Sequence, residues 1–258
     1  IEETAHEFDP QASPAVFLKA NRSLRPGGGG TKIPGTNELI AEAGNLDASL
    51  QKTLREKFAD LPPLMDYEAE LGFILLEDLP DTKLRDQAYA PKLGFFAAND
   101  LSARALQILG EGMPNRLAYW GMSKSLDDFL PVTKKIWVPK KQAADAIPCV
   151  TLSTRVNGQL RQSAPASDMI YTPRQMLIAA RETYPQFSLR RGDMVIMGTS
   201  GGIALSTPRI KARLAELLRF GRLTKLRFIL KADKGKFLKP GDTVTVSGGW
   251  LGEVTTKL

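Results

Sequence analysis

Five stretches of the chain run apolar or alternate apolar and polar over strand-like lengths: residues 67–76, 92–98, 150–157, 193–198 and 242–247. Between them, apolar residues recur at helical spacing over 100–110, 173–183 and 208–220. Many strands with few long helices predict a large, mostly antiparallel or mixed β fold. Asn157-Gly158, set between two alternating stretches, predicts a tight hairpin. Arg191-Gly192-Asp193 and Pro240-Gly241-Asp242 mark two further turns. Residues 21–37 are rich in Gly and Pro and read as a loop. Their run Gly27-Gly28-Gly29-Gly30 lacks the Gly-Lys-Ser/Thr ending of a phosphate-binding P-loop. Late in the chain, Ile210, Leu214, Leu217 and Leu218 make an amphipathic helix face, and Leu226, Phe228 and Leu230 then alternate like a strand.

The stretch from Met65 to Leu75 carries the most chemistry. As a strand, it places Met65, Tyr67, Ala69, Leu71, Phe73 and Leu75 on one face and Asp66, Glu68 and Glu70 on the other. Glu68 and Glu70 then project in parallel, about 6.6 Å apart from the per-residue rise. Two such carboxylates suit either a shared cation or an exposed acidic strand edge. A second acidic position follows an apolar run, Phe95 to Ala98, which ends in Asn99-Asp100. With a helix over 100–110, Arg104 and Gln107 follow Asp100 at i+4 and i+7 and share its side of the helix. A carboxylate, a guanidinium and an amide so placed can hold a metal and an anionic substrate; as a bare helix start, Asp100 is only a cap.

Composition narrows the metal chemistry. Of 258 residues only one is His, His6, and one is Cys, Cys149, so any metal site draws mainly on oxygen ligands, which suit hard cations such as Mg²⁺, Mn²⁺ or Ca²⁺. A single cysteine forms no internal disulfide and fits a reducing compartment, so a cytoplasmic location is expected. Cys149 lies in the apolar run Ile147 to Val150 and reads as a buried structural thiol. No apolar run approaches the ~18 residues of a membrane span, so no membrane is expected as a partner. The start at Ile1 predicts a trimmed or omitted amino end.

The motifs, taken in order, make the chain resemble the fumarylacetoacetate hydrolase family. Phe17-Leu18-Lys19 is similar to its Phe-x-Lys element. Asp66-Tyr67-Glu68-Ala69-Glu70-Leu71 matches Asp-Tyr-Glu-x-Glu-Leu, and Asn99 to Arg104 matches Asn-Asp-x-Ser-Ala-Arg, with Gln107 beyond. Lys124 to Pro131, Asn157 to Gln162, Arg191 to Thr199, Pro240-Gly241-Asp242 and the closing Gly249 to Gly252 follow in the family's order. The resemblance implies an α+β, mostly β fold, a mixed β-roll with short peripheral helices. It implies a lid and linker over 1–60, a catalytic domain over 61–258, and a homodimer. It also implies Mg²⁺ or Mn²⁺ held by Glu68, Glu70 and Asp100. A small anionic 2-oxo or 1,3-diketo acid would be contacted by Arg104, Gln107, Thr199 and Tyr67, with Lys124 catalytic. In that chemistry a divalent cation polarises a carbonyl and steadies an enolate, and a desolvated Lys124 stabilises the same charge or moves a proton.

Two departures matter. Hydrolytic members carry a His-x-x-Glu pair that activates water. Here either His6 and Asp9 stand in for it, or Thr4-Ala5-His6-Glu7 aligns with His-Ala-x-Glu, keeping Glu7 and placing Thr4 at the histidine position. The second register keeps more identities and is preferred. Hydrolysis of a C–C bond is expected first, as the family's commonest activity; decarboxylation or isomerisation needs only the enolate, and a metabolite-binding relative of weak activity is the third reading. The second departure is a basic insert at about 205–239. From Arg209 to Lys239 eleven basic residues face only Glu216 and Asp233, leaving +9 there; the whole chain is +7, so the remainder is −2. With little aromatic interleaving and no nucleic-acid motif, nucleic acid is not an expected partner. A solvated face, a dimer contact or a wall steering an acidic substrate are the open readings.

Overall fold

A computed structural model of the chain describes residues 13–199, 201–205, 221–232 and 235–258. The first half runs β1 (Leu24–Pro26), β2 (Gly29–Gly30), α1 (Thr36–Leu46), α2 (Ala48–Lys57), β3 (Met65–Asp66), β4 (Ala69–Leu75), α3 (Asp81–Leu84), β5 (Leu93–Asn99), β6 (Ser102–Ala103), α4 (Arg104–Leu109), α5 (Arg116–Ser123) and β7 (Leu130–Val132). The second half runs β8 (Thr151–Val156), β9 (Gln159–Pro165), α6 (Pro173–Thr183), β10 (Met194–Thr199), α7 (Arg222–Ala232), β11 (Thr243–Ser247) and β12 (Glu253–Lys257). The fold is mixed α+β, and all five strand-like stretches of the sequence form strands.

Two five-stranded sheets carry the architecture, in the orders β1-β7-β5-β4-β10 and β2-β12-β11-β8-β9. Strand alternation builds the layer between them. Leu71, Phe73 and Leu75 of β4 and Phe95 and Ala97 of β5 meet Leu152, Val246 and Val254 of the second sheet, and Met176 and Leu177 of α6 close one side. A separate core gathers α1, α2, α4 and α5 around Leu39, Leu54, Leu106 and Tyr119, with Leu226 of α7 fully buried against it.

The Gly-rich run expected as a loop is a crossing between sheets. β1 lies parallel to β7 in the first sheet, and three residues later β2 lies parallel to β12 in the second. Only glycine suits the turn between them. Gly28 sits at φ 72°, and a Cβ there would come within 2.2 Å of the Thr255 carbonyl oxygen.

Other expectations change with the tertiary context. The stretch Leu226, Phe228, Leu230 forms helix α7, not a strand: Leu223, Leu226 and Ile229 recur at helical spacing and pack inward, while Phe228 points outward. Within the basic insert, Arg222 pairs with Asp47 at 2.6 Å and Arg227 stacks over the Phe58 ring at 5.2 Å, so two of its cations dock onto the α2 region. Cys149 is exposed rather than buried, because Pro148 and Val150 on either side take the inward positions. The stretch read as a strand from Met65 to Leu75 is interrupted at residues 67–68, between β3 and β4, and the helix expected from 100 begins at Arg104, after β6 has paired with β3. The expected helix 208–220, with its face of Ile210, Leu214, Leu217 and Leu218, lies outside the described residues. No described helix is long and apolar enough to cross a membrane.

Candidate active site

Glu70 lies on β4, an interior strand flanked by β5 and β10, and Glu68 directly precedes it; with both buried, the reading of an exposed acidic edge is removed. Both are buried, at 5% and 3% exposure, and Asp100 at 1% lies at the end of β5. Glu68, Glu70 and Asp100 each offer a carboxylate oxygen within 4.8 Å of the others, a spacing at which one cation can bind all three. The convergence does not come from a shared helix, since Asp100 precedes α4. It comes from the antiparallel register that sets Ala69 opposite Asn99, bringing the two loop ends together.

Cations surround this cluster. Lys124 Nζ bridges Glu68 and Asp100, at 2.5 Å from Asp100 Oδ2. Arg104 contacts Glu68 through Nη2, Asp66 Oδ2 through Nε at 2.9 Å, and Gln107 Oε1 through Nη1 at 2.5 Å. Lys19 Nζ reaches Asp100 Oδ1 at 2.6 Å and also donates to the Lys124 carbonyl. Lys19 belongs to the Phe-x-Lys element, yet only the fold shows that it faces the carboxylates.

The electrostatics separate the two glutamates. Burial raises Glu68, but the adjoining Arg104 and Lys124 outweigh it and hold the carboxyl below its usual range. Burial also raises Glu70, and there the neighbouring Asp100 and Glu68 add to it, pushing the carboxyl well above its usual range. Burial opposes the charge on Lys124, yet Asp100 and Glu68 more than compensate and raise its pKa. Lys19 is lowered by burial against the pull of Asp100. Four carboxylates (Asp66, Glu68, Glu70, Asp100) face three cations (Lys19, Arg104, Lys124). A divalent cation held by Glu68, Glu70 and Asp100 would supply the positive charge that Glu70 lacks. The all-oxygen donor set, buried and short of positive charge at Glu70, fits a hard divalent cation.

The remaining predicted residues are placed as follows. Thr199 pairs across from Glu70 at the end of β10, where the strand irregularity between Ile196 and Thr199 turns the Gly198 N–H onto Glu70 Oε2 at 2.9 Å. Gln107 lies against Arg104 on α4. Tyr67 is 3% exposed, and its hydroxyl meets the Gly202 carbonyl at 3.4 Å; burial, with Asp66 nearby, raises its pKa to about 12. His6 and Glu7, with Thr4 and Asp9 of the two registers, lie outside the described residues.

Two residues not singled out for the site also bind into it. Gln162 of β9 is 2% exposed; its Oε1 accepts from Ala69 N at 3.1 Å and Thr154 Oγ1 at 2.7 Å, and its Nε2 donates to Thr199 Oγ1 at 3.1 Å. Its place in the Asn157 to Gln162 hairpin motif is the signal that marks it. Asp66, grouped by alternation with Glu68 and Glu70, faces Arg104 instead of joining the carboxylate cluster.

The fumarylacetoacetate (FAA) hydrolase C-terminal family model matches residues 2–258. Over 141 residues, 54% of this chain and 42% of the relative, the sequence is 31% identical to oxaloacetate tautomerase YisK of Bacillus subtilis. Over 202 residues, 78% of this chain and 38% of the relative, it is 29% identical to the 4-hydroxyphenylacetate degradation bifunctional isomerase/decarboxylase of Escherichia coli. The matches thus span less than half the length of these curated relatives. Among solved structures, the fumarylpyruvate hydrolase from Pseudomonas aeruginosa in complex with Mn²⁺ and pyruvate shares the fold, with a TM-score of 0.58 at 16% identity over 99% of this chain and 82% of that one. With the family's motifs in order along the sequence and its model matched from end to end, the chain belongs to the fumarylacetoacetate hydrolase family.

Proposed function

We propose that the chain is a divalent-metal-dependent enzyme that enolises a small 2-oxo acid, with keto–enol tautomerisation or decarboxylation as its reaction. The observation that carries this reading is the arrangement around the three carboxylates: Lys19, Arg104 and Lys124 all converge there as hydrogen-bond donors. Mg²⁺ or Mn²⁺, bound by Glu68, Glu70 and Asp100, would supply Lewis-acid polarisation of a carbonyl.

The chain's own residues then take separate tasks. Arg104, oriented by Asp66, Glu68 and Gln107, grips the substrate carboxylate. Thr199 and Gln107 bind the same acid from either side of the cluster, with Tyr67 lining the approach. Lys124, whose charge is favoured by Asp100 and Glu68, holds the negative charge that develops when a proton or CO₂ leaves the carbon next to the carbonyl. The relatives named above, a tautomerase and an isomerase/decarboxylase, have activities of this class.

Hydrolysis of a C–C bond in an acylpyruvate is the second reading, favoured by the family's description. It needs a base for water, which this reading assigns to Glu7 and His6 in the lid and linker segment over 1–60. In both readings the chain acts as a homodimer.

A turnover screen of the full chain with Mg²⁺ or Mn²⁺ separates these. Ketonisation of enol-oxaloacetate or release of CO₂ from the keto form is expected. Cleavage of acylpyruvates with no action on oxaloacetate would replace the first reading by the second. No metal-dependent turnover of any of these acids would leave a metabolite-binding relative.

A further inference from the structure

Asp66 is buried with 0% exposure, carries no place in the carboxylate cluster, and still takes four hydrogen bonds. Its Oδ1 accepts from Tyr67 N and Ala204 N, both at 2.8 Å. Its Oδ2 accepts from Arg104 Nε at 2.9 Å and Leu205 N at 3.0 Å. One carboxylate thus joins the guanidinium of the site to the backbone that follows Thr199, a stretch also held by Gly202 against the Tyr67 hydroxyl. Burying an acid is costly unless every lone pair is engaged, and here the partners are a cation and three backbone amides.

We propose that Asp66 is a positioning residue: it fixes the plane of the Arg104 guanidinium and ties that orientation to the seating of residues 204–205. The proposal rests on Arg104 gripping the substrate carboxylate. Arg104 has five N–H donors. Asp66, Gln107 and Glu68 take one from each nitrogen, which leaves one N–H on each terminal nitrogen for a ligand. Glu68 and Gln107 hold only those terminal nitrogens, so without Asp66 the rigid guanidinium plane can tilt about the Cδ–Nε bond and carry the two remaining N–H groups out of alignment.

The test is a cycle of the full chain, Asp66→Asn, Arg104→Met and the double variant, loaded with Mn²⁺. Asparagine keeps the volume but sets an NH₂ group against two N–H donors. The affinity for oxalate, a minimal two-oxygen acid, is expected to fall about tenfold or more in Asp66→Asn. Mn²⁺ affinity should change by less than about threefold, and the Asp66 effect should nearly vanish in the Arg104→Met background, since coupled residues are not additive.

A second readout needs no ligand: the buried Arg104 Nε–H, bonded to Asp66, is expected to exchange slowly in the unaltered chain and to broaden or exchange rapidly in Asp66→Asn. An unchanged Arg104 resonance, additive effects, or a loss of Mn²⁺ affinity as large as that of oxalate would each overturn the proposal. Failure of the unaltered Mn²⁺-loaded chain to bind oxalate would instead sink the functional reading, while the resonance still decides the role of Asp66. If Asp66→Asn does not fold, Asp66→Glu, which keeps the charge and moves the carboxylate, gives the same readouts.

Discussion

The side-chain oxygen of Gln162 accepts the backbone N–H of Ala69 at 3.1 Å, so β9 of one sheet holds the residue that separates the two glutamates on the other. The same amide steadies Thr199, which faces Glu70 from β10. Gln162→Leu leaves the buried Ala69 N–H without its acceptor and is expected to cost about 1–3 kcal/mol of stability. Cation affinity should drop about tenfold, as for other residues that orient ligands. Thermal unfolding and Mn²⁺ titration read the two effects, and a variant as stable and as tight as the unaltered chain would refute the link.

Glu68 has two roles, as a candidate ligand and as the acceptor for Arg104 and Lys124. Replacing it by Gln removes one charge from a three-carboxylate set, and about a 100-fold weaker Mn²⁺ or Mg²⁺ affinity is expected, at the top of the range seen when outer partners are lost. Metal content measured after dialysis checks this. Retention of a full equivalent by Glu68→Gln would remove the residue from the ligand set.

Gly202 sits at φ 96°, and a Cβ there would lie 2.8 Å from the Arg161 carbonyl oxygen. Gly202→Ala therefore meets both a backbone penalty and a clash, together about 1–3 kcal/mol. Because Gly202 holds the Tyr67 hydroxyl and precedes the Asp66 anchors at 204–205, oxalate affinity is expected to fall along with the melting temperature. A drop in melting temperature alone would show that this stretch is structural but remote from ligand binding.

Asp47 caps α2 by accepting from Ser49 N and Leu50 N, both at 3.1 Å, and pairs with Arg222 of the basic insert. Its carboxyl is held well below the usual range, chiefly by the Ser49 side chain and then by Arg222. A depressed folded pKa means the stabilisation is complete above the unfolded value, near 4, and is lost as pH falls towards the folded value. Asp47→Ala is expected to cost about 1 kcal/mol at neutral pH. Denaturant titrations at pH 7 and pH 3 should show the gap between variant and unaltered chain narrowing in acid; a gap that stays constant would argue against an ionised cap.

The carboxylate pair and Asp100 were legible in the sequence because strand alternation and motif order act over a few residues. Their partners were not. Asp66 carries the same alternation as Glu68 and Glu70, and only the interruption between β3 and β4, with two amides about 138 residues away, turns it towards Arg104. The helices α1, α2 and α5 escaped because each buries only two or three residues, such as Leu39, Ile40 and Ala43 in α1, too short an apolar stripe to stand out in the sequence. Leu226, Phe228 and Leu230 satisfied a strand pattern and a helix pattern together, and burial of Leu226 beside α4 decided between them. Cys149 shows the converse: an apolar neighbourhood in sequence does not bury a residue whose two neighbours face inward.

The crossing from β1 to β2 places seven residues, 24–30, at the outer edge of both sheets at once. Detaching that segment uncovers β7 and β12 together, so the two sheets share one opening event. In hydrogen exchange, amides of β7 and β12 should report a common opening free energy, and the sheets should lose protection as a single cooperative unit. The glycines that permit the turn thereby set how the whole scaffold comes apart, at a point far along the chain from the carboxylates it supports.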